Sequence, residues 1–277
     1  MTIISPNTSI DDLSLVFLDV ETTGLEPRYG DRVCEIAVAR ARLDLVQTTF
    51  ATLVNPERPI SPGAASVNGL RDEDVRAAPR FSEVADTVLK VMSDAVLVCH
   101  NAPFDLGFVS SEMRRAGREF CVPPVIDTLQ LARRCYSFAS NSLPRVARAL
   151  GVPAPNAHRA LADAMTTREV FNRFVEDLWK RGVRTLADVQ NAQGDLSLVT
   201  GSAAQVPLPP EIAEALSSGR RLFLKYVDGR GEETERWVTP QEVSGIGEAL
   251  SLVAFCHLRK ERRVFRLDRI VEIQIEM

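Results

Sequence analysis

The chain turns apolar at Leu15-Val16-Phe17-Leu18 and closes that run with Asp19-Val20-Glu21-Thr22-Thr23-Gly24. A continuous apolar run bounded by turn residues reads as a buried strand. Two more strand-like stretches, 32–43 and 45–54, are set off by Gly24, Pro27, Gly30 and Asp44, and predict an antiparallel meander. The period then changes. In 81–92, Phe81, Val84, Ala85, Val88 and Val91 or Met92 fall on one helical face. A short strand at 95–98 leads into a helix near Pro103-Phe104. After Pro123-Pro124 come a brief strand to Asp127 and a helix through Arg133. A helix at 143–150 is stopped by Gly151, Pro153 and Pro155, and a long one runs over 159–180. Strands first, then strands alternating with helices, predict an α/β domain with a mixed sheet flanked by helices.

After Gly182 the pattern loosens. Residues 183–207 are rich in Gln, Asn, Gly, Ser and Ala and lead to Pro207-Leu208-Pro209-Pro210, which reads as a linker. Short strands follow at 222–227, 235–238, 250–256, 264–267 and 270–275, with a turn at Asp228-Gly229, and predict a small β-rich domain closed as a barrel. The division is therefore 1–182, a linker 183–207, and 208–277. At 277 residues each part is long enough to bury its own core. A net charge of −4 gives no global attraction for nucleic acid. The five cysteines (34, 99, 121, 135, 256) form no C-x-x-C pair, which argues for a reducing compartment and against a disulfide framework or structural zinc. Neither a signal-like start nor an apolar run of roughly 18 residues is present, so a cytoplasmic location without membrane contact is expected.

Candidate chemistry centres on the first strand. Side chains two apart on a strand share a face, so Asp19 and Glu21 stand together. Burying two like charges is costly unless a cation or a shared proton offsets them, and a divalent metal on oxygen ligands is the simple solution. Solvent-facing acids on an edge strand are the alternative, which the apolar residues 15–18 oppose. Cys99-His100-Asn101-Ala102-Pro103-Phe104-Asp105 places Asp105 where a strand ends and a helix begins. In His158-Arg159-Ala160-Leu161-Ala162-Asp163 the spacing of five separates helical side chains by about 140°. His158 is thus expected in the loop before the long helix, with Asp163 a turn inside. His100 reads as a brace for its turn, and Asp127 as a helix N-cap rather than a further ligand.

Together "FLDVETTGL" with "DRVCEIA", "HNAPFDLGF" and "HRALADA" resemble the three motifs of the DEDDh 3′–5′ exonucleases. That group includes the proofreading epsilon subunit of bacterial replicative DNA polymerase, ribonuclease T and oligoribonuclease. The resemblance covers about 13–180 and implies a ribonuclease-H-like fold and two Mg²⁺ or Mn²⁺ ions clamping the scissile phosphate. It implies that Asp19, Glu21 and Asp163 hold one ion, that Asp19 reaches the second with Asp105 nearby, and that His158 is the base for the attacking water. An imidazole, titrating near ~6.5, suits that task. It further implies that Thr22, Thr23, Gly24 and Leu25 contact the terminal nucleotide, with Leu25 and Phe104 against its bases. Asn68 stands where many relatives carry His, which keeps hydrogen bonding and removes a stacking ring. The implied activity is release of nucleoside 5′-monophosphates from single-stranded 3′ ends, DNA favoured over RNA, in proofreading or repair. The alternatives are an exoribonuclease and a nucleic-acid-responsive regulator without catalysis.

The segment 208–277 resembles a WYL domain, a small SH3-like β-barrel, on Tyr226, Arg236 with Pro240, and "FRLDRI". Leu250-Ser251-Leu252 occupies the place of the signature Trp-Tyr-Leu. This resemblance implies a nucleotide or nucleic-acid ligand, for which Arg236, Arg259, Arg263, Arg266 and Arg269 are the candidates. A solvated charged face diluted by Glu235, Glu261 and Asp268 is the alternative. Finally, Gln193-Gly194-Asp195-Leu196-Ser197-Leu198 is similar to the Q-x-x-L-x-L peptides that dock bacterial proteins on the sliding clamp.

Overall fold

The structure is a computed structural model describing residues 4–43, 45–154, 158–196, 208–227, 232–244 and 251–276. It divides into two compact units. One comprises Met1–Thr22, Arg32–Pro59 and Asn68–Ala203; the other comprises Thr23–Asp31, Ile60–Val67 and Ala204–Met277.

The first unit is built on a five-stranded sheet of order β3-β2-β1-β4-β5. Its strands are β1 (Leu15–Thr22), β2 (Val33–Arg42), β3 (Leu45–Leu53), β4 (Val96–Cys99) and β5 (Val125–Asp127). The expected meander is present: β1 pairs antiparallel with β2 and β2 with β3, while β1–β4 and β4–β5 are parallel. Helix α1 (Pro62–Asn68) belongs to the second unit up to Val67, and the helices of the first are α2 (Asp72–Val75), α3 (Phe81–Met92), α4 (Ala102–Arg115), α5 (Thr128–Cys135), α6 (Leu143–Ala149), α7 (Ala160–Lys180) and α8 (Leu186–Gln193).

Being central, β1 is covered on both faces, and its alternation sorts the core into two layers. Leu15 and Phe17 join Ala37, Ala39 and Ala41 beneath α7, where Phe171 packs 6.2 Å from Phe17. Val16, Leu18 and Val20 join Ile36 and Val38 against α3 and α4. The next residues on the α7 face are Asp19 and Glu21, so the acids begin where that apolar layer ends. Buried Glu112 of α4 ties this side together, taking Arg32 Nε at 2.6 Å, Arg32 Nη2 at 3.0 Å and the Val33 amide at 3.2 Å.

Residues 183–193, expected to open the linker, contain α8. Thr185 caps it, accepting from the Asp188 amide at 3.2 Å while Asp188 accepts from the Thr185 amide at 2.9 Å. Leu186 and Val189 are buried one turn apart, a period hidden by the polar composition around them. Gln193 completes the sheet edge: its Oε1 accepts from the Asp127 amide at 2.8 Å and its Nε2 donates to the Val125 carbonyl at 3.1 Å. Gln193→Ala leaves the buried Asp127 amide without this partner and the Val125 carbonyl with the longer bond from Gln190 Nε2 at 3.4 Å, so a loss of about 1–2 kcal/mol is expected in urea unfolding. The same contacts consume the glutamine on which clamp docking depends, because it is 3% exposed. Leu196 packs on the α3–α4 layer, and Ser197 and Leu198 lie outside the described residues.

The second unit holds α9 (Pro210–Ser218) and an antiparallel sheet of order β10-β6-β7-β8-β9. These strands are β6 (Leu222–Val227), β7 (Glu233–Ser244), β8 (Ser251–Cys256), β9 (Glu261–Arg266) and β10 (Ile270–Ile275). The Pro-rich segment read as the linker's end starts α9, with Pro210 at its first position and Gly219 left-handed at φ 70° after its end. Ile212 and Ala215 pack there on Leu222, Leu224, Val238 and Leu252. The expected barrel closure is corrected: β9 and β10 end the strand order, and no ladder joins them among the described residues. Nor does β7 stop before Pro240; it continues across a bulge between Pro240 and Glu242. The turn at Asp228-Gly229 lies outside the described residues. No helix among them is long and apolar enough to cross a membrane.

Candidate active site

Three elements converge on the acids of β1. The first is β2, whose register sets Ala37 opposite Asp19 and Glu35 opposite Glu21, so Glu35 shares their face. The second is α4. The β1–β4 ladder covers Leu15, Val16 and Phe17 only, and further along β1 the Val20 amide donates to Asp105 Oδ1 at 3.1 Å. Asp105 is 3% exposed. Its helix start is fixed by Asp127, whose carboxylate accepts from the amides of Asn101 (3.0 Å), Ala102 (3.1 Å) and Leu129 (2.8 Å). One buried acid thus caps α5, as expected, and also holds the left-handed Asn101 that begins α4. His100 braces the same turn, with Nδ1 2.9 Å from Thr128 Oγ1 and Nε2 2.8 Å from the Asn141 carbonyl oxygen.

The third element is the start of α7. His158 is exposed and lies outside the helix with φ 67°, a backbone region that non-glycine residues seldom adopt. Its amide donates to Asp163 Oδ2 at 2.9 Å. Arg159 makes a forked pair with Glu35, Nε to Oε2 and Nη2 to Oε1 both at 3.0 Å, and the Ala160 amide reaches Glu35 Oε2 at 3.3 Å. Glu21, His158 and Asp163 each present a ligand atom within 4.8 Å of the other two, the grouping of this kind found among the described residues.

The electrostatics report the crowding. Burial first, then the carboxylates of Asp105, Asp163, Glu21 and Glu35, hold the Asp19 carboxyl well above the usual range. Glu21 is pushed up to about 8 by burial, with Asp163 and Glu35 adding and Arg159 opposing. Burial also raises Asp105, against the hydrogen bond from Val20, and raises Asp163, against that from His158. Such a set retains protons unless positive charge is supplied. Its donors are hard carboxylate oxygens with an imidazole at the rim, and they fit a divalent cation of the oxygen-preferring kind.

The structure therefore brings together Asp19, Glu21, Asp105, His158 and Asp163. Thr22 ends β1, and its carbonyl accepts from Asn68 Nδ2 at 3.3 Å. Asn68 is 6% exposed, with its Oδ1 taking the Leu70 amide at 3.0 Å, so its polar atoms serve the backbone here. Half-buried Phe104 packs 5.0 Å from Phe108. Thr23, Gly24 and Leu25 belong to the loop Thr23–Asp31 of the second unit. Asp31 organises that loop, accepting from Thr23 Oγ1 at 3.3 Å and the Glu26 amide at 3.1 Å, while Leu25 is 42% exposed.

The arginines named for the second unit do not form one group. Arg236 lies over the rings of Tyr226 (5.9 Å) and Phe265 (5.5 Å) and bonds Thr234 Oγ1. Arg263 pairs with Glu261 at 3.2 Å, and strand alternation puts Arg266 on the opposite face of β9 from Arg263. Arg259 is exposed in the turn before β9, and Arg269 is half-buried before β10. Sequence reasoning assigned no role to Glu35 or Arg159, although both lie inside motifs it singled out. Strand parity was the available signal, since Glu35 shares a face with Ala37, Ala39 and Ala41.

Residues 16–171 match the profile of the Exonuclease family, and residues 208–275 that of the WYL domain. A DNA polymerase III subunit epsilon-like protein of Rhodobacter capsulatus is 38% identical over 187 residues, 66% of this chain and 26% of that protein. The chain thus spans about a quarter of that relative's length. Among solved structures, exonuclease X in complex with 5′ overhanging duplex DNA is similar at TM-score 0.50 and 24% identity, over 65% of this chain and 99% of that one. E. coli exonuclease I in complex with a dT13 oligonucleotide is similar at TM-score 0.56 and 18% identity, over 88% of this chain and 55% of that one. The chain belongs to the Exonuclease family and carries a WYL domain after it.

Proposed function

We propose that the protein is a divalent-metal-dependent 3′–5′ exonuclease acting on single-stranded DNA ends and releasing nucleoside 5′-monophosphates. The observation that carries this reading is the clustering of Asp19, Glu21, Asp105 and Asp163 with His158 at the open rim. Asp19, Glu21, Asp105 and Asp163 are the residues that would hold two Mg²⁺ or Mn²⁺ ions. When bound, such a pair stabilises the attacking and leaving oxygens of an in-line displacement at phosphorus. The exposed His158 takes the proton of the attacking water, and the hydrogen bond from its backbone amide to Asp163 Oδ2 keeps the residue beside the acids. Thr22 and the loop of Thr23, Gly24 and Leu25 orient the terminal nucleotide, and Leu25 and Phe104 offer apolar surface to its bases. Single-stranded DNA is favoured because related folds are seen on a dT13 oligonucleotide and on overhanging DNA. In the WYL domain, Arg236 with Tyr226 and Phe265 is the arginine group best placed for a nucleotide ligand.

The test is 5′-labelled DNA and RNA of equal sequence with Mg²⁺, Mn²⁺ or EDTA, beside His158→Ala. A metal-dependent ladder shortening from the 3′ end and lost in the variant is expected, faster on DNA. A faster RNA ladder makes the protein an exoribonuclease, and no cleavage with any ion leaves a binding regulator. A second expected result concerns Gly24. A Cβ there meets the Asp31 carboxylate, Oδ2 at 2.3 Å, so Gly24→Ala pushes that side chain away from Thr23 and the Glu26 amide, at a cost of about 1–2 kcal/mol for the bonds that order the loop. Steady-state kinetics should show KM rising with little change in kcat.

A further inference from the structure

We propose that Glu35 and Arg159 form a latch that holds His158 in its left-handed backbone conformation, a positioning pair for the reaction. The inference rests on the nuclease reading of this cleft. His158 at φ 67° lies in a region sparsely populated by residues with a Cβ, so the contacts around it hold it there, beginning with the hydrogen bond from its own amide to Asp163 Oδ2. On its C-terminal side the next two residues are fastened to a single carboxylate. Arg159 grips Glu35 through both Nε and Nη2, and the Ala160 amide donates to the same group.

Arg159 stands at the N-cap of α7 and has no side-chain oxygen to accept from the first turn; Glu35 supplies that acceptor from another strand. Glu35 itself is 5% exposed and locked into β2 directly opposite Glu21. The latch therefore references the histidine to the strand pair that carries the acids. The fork matters more than the charge, because a lysine delivers one point contact where the guanidinium delivers two parallel bonds.

Arg159 is half-exposed, with 51% of its side chain accessible, so direct contact with a substrate phosphate is the competing role. Four variants separate the two: Glu35→Gln, Arg159→Ala, Arg159→Lys and the double Glu35→Gln/Arg159→Ala. The latch requires kcat on a labelled oligonucleotide to fall about 10–100-fold in each single variant with KM within about twofold. It also requires Arg159→Lys to rescue little, and the double variant to be no worse than the worse single one. Unchanged kcat in Glu35→Gln overturns the latch. So does a KM increase in Arg159→Ala that persists on the Glu35→Gln background, which makes Arg159 a phosphate contact.

Histidine NMR on the metal-free protein gives a reading independent of activity, since the chain has only three histidines. The His158 ring signals, identified by their loss in His158→Ala, should shift or broaden in Glu35→Gln while those of His100 and His257 stay. If the wild-type protein cleaves nothing, the nuclease reading fails and this spectrum alone decides the latch: an unmoved His158 overturns it.

Discussion

Asp19→Asn is expected to abolish cleavage and, in metal-free buffer, to raise the melting temperature. The two effects share a cause. Asp19 stands on the central strand with Glu21 two residues on, Asp105 arriving from α4 and Asp163 from α7, and burial and those neighbours all disfavour its charged form. Asparagine keeps the shape and removes the charge. Repulsion within the cluster falls, and a rise of about 2–4 °C is expected for each kcal/mol relieved in a protein of this size. The same exchange removes a carboxylate that would hold the proposed ions, and a loss of roughly 10³-fold or more in kcat is the scale of losing such transition-state stabilisation. Differential scanning calorimetry in EDTA, beside the exonuclease assay, checks both. A variant less stable than wild type without metal, yet inactive, would mean that Asp19 serves packing rather than an ion.

Much of this site was legible because the acids sit on elements with a clear period. The two-residue spacing of Asp19 and Glu21 on an apolar strand fixed their common face, and the break at Pro155 placed His158 outside α7. What escaped the sequence was pairing at a distance. Glu35 meets Glu21 only through a register with an irregularity at Glu21/Thr22, where Thr22 faces Val33 and Cys34 is passed over. The connection between β1 and β2 is too long for its length to dictate that register. Composition misled at α8, where Leu186, Val189 and Gln193 carry a helical face inside a polar stretch. It misled again at α9, where prolines that suggested a linker begin a helix. Barrel closure depends on contacts between strands distant in sequence, and short strand signals are equally compatible with the open sheet observed.

The metal-free protein should lose stability as pH rises from about 5 to 8, and added Mg²⁺ or Mn²⁺ should reverse that loss most strongly at the alkaline end. The sign follows from Glu21, whose carboxyl is raised from 4.5 to about 8 in the fold. Between those values the folded state keeps a proton that the unfolded chain has released, so unfolding is favoured by each increase in pH. Asp19, Asp105 and Asp163, also raised, act in the same direction. Glu26, raised to about 7 by burial, adds to the decline. Asp86, Asp188 and Glu276 are lowered by their partners, so their contribution is complete above the ordinary carboxylate range and is lost only as acid is added. His100 acts the other way, because burial lowers it and the unfolded chain takes up its proton first as acid is added. One imidazole offsets only part of the five raised carboxyls, so stability without metal should peak near pH 5.

A cation competes with the protons that these acids retain, so its affinity rises with pH until the carboxyls are ionised. At a hundredfold excess over its dissociation constant it adds about 2.7 kcal/mol to the folded state. Melting curves at pH 5, 6.5 and 8, each with EDTA or with Mn²⁺, give the full comparison. The ion-induced shift should be small at pH 5 and largest at pH 8, and Asp163→Asn should shrink it. A shift of equal size at all three pH values would show that the ion binds groups already charged, away from the buried acids of β1.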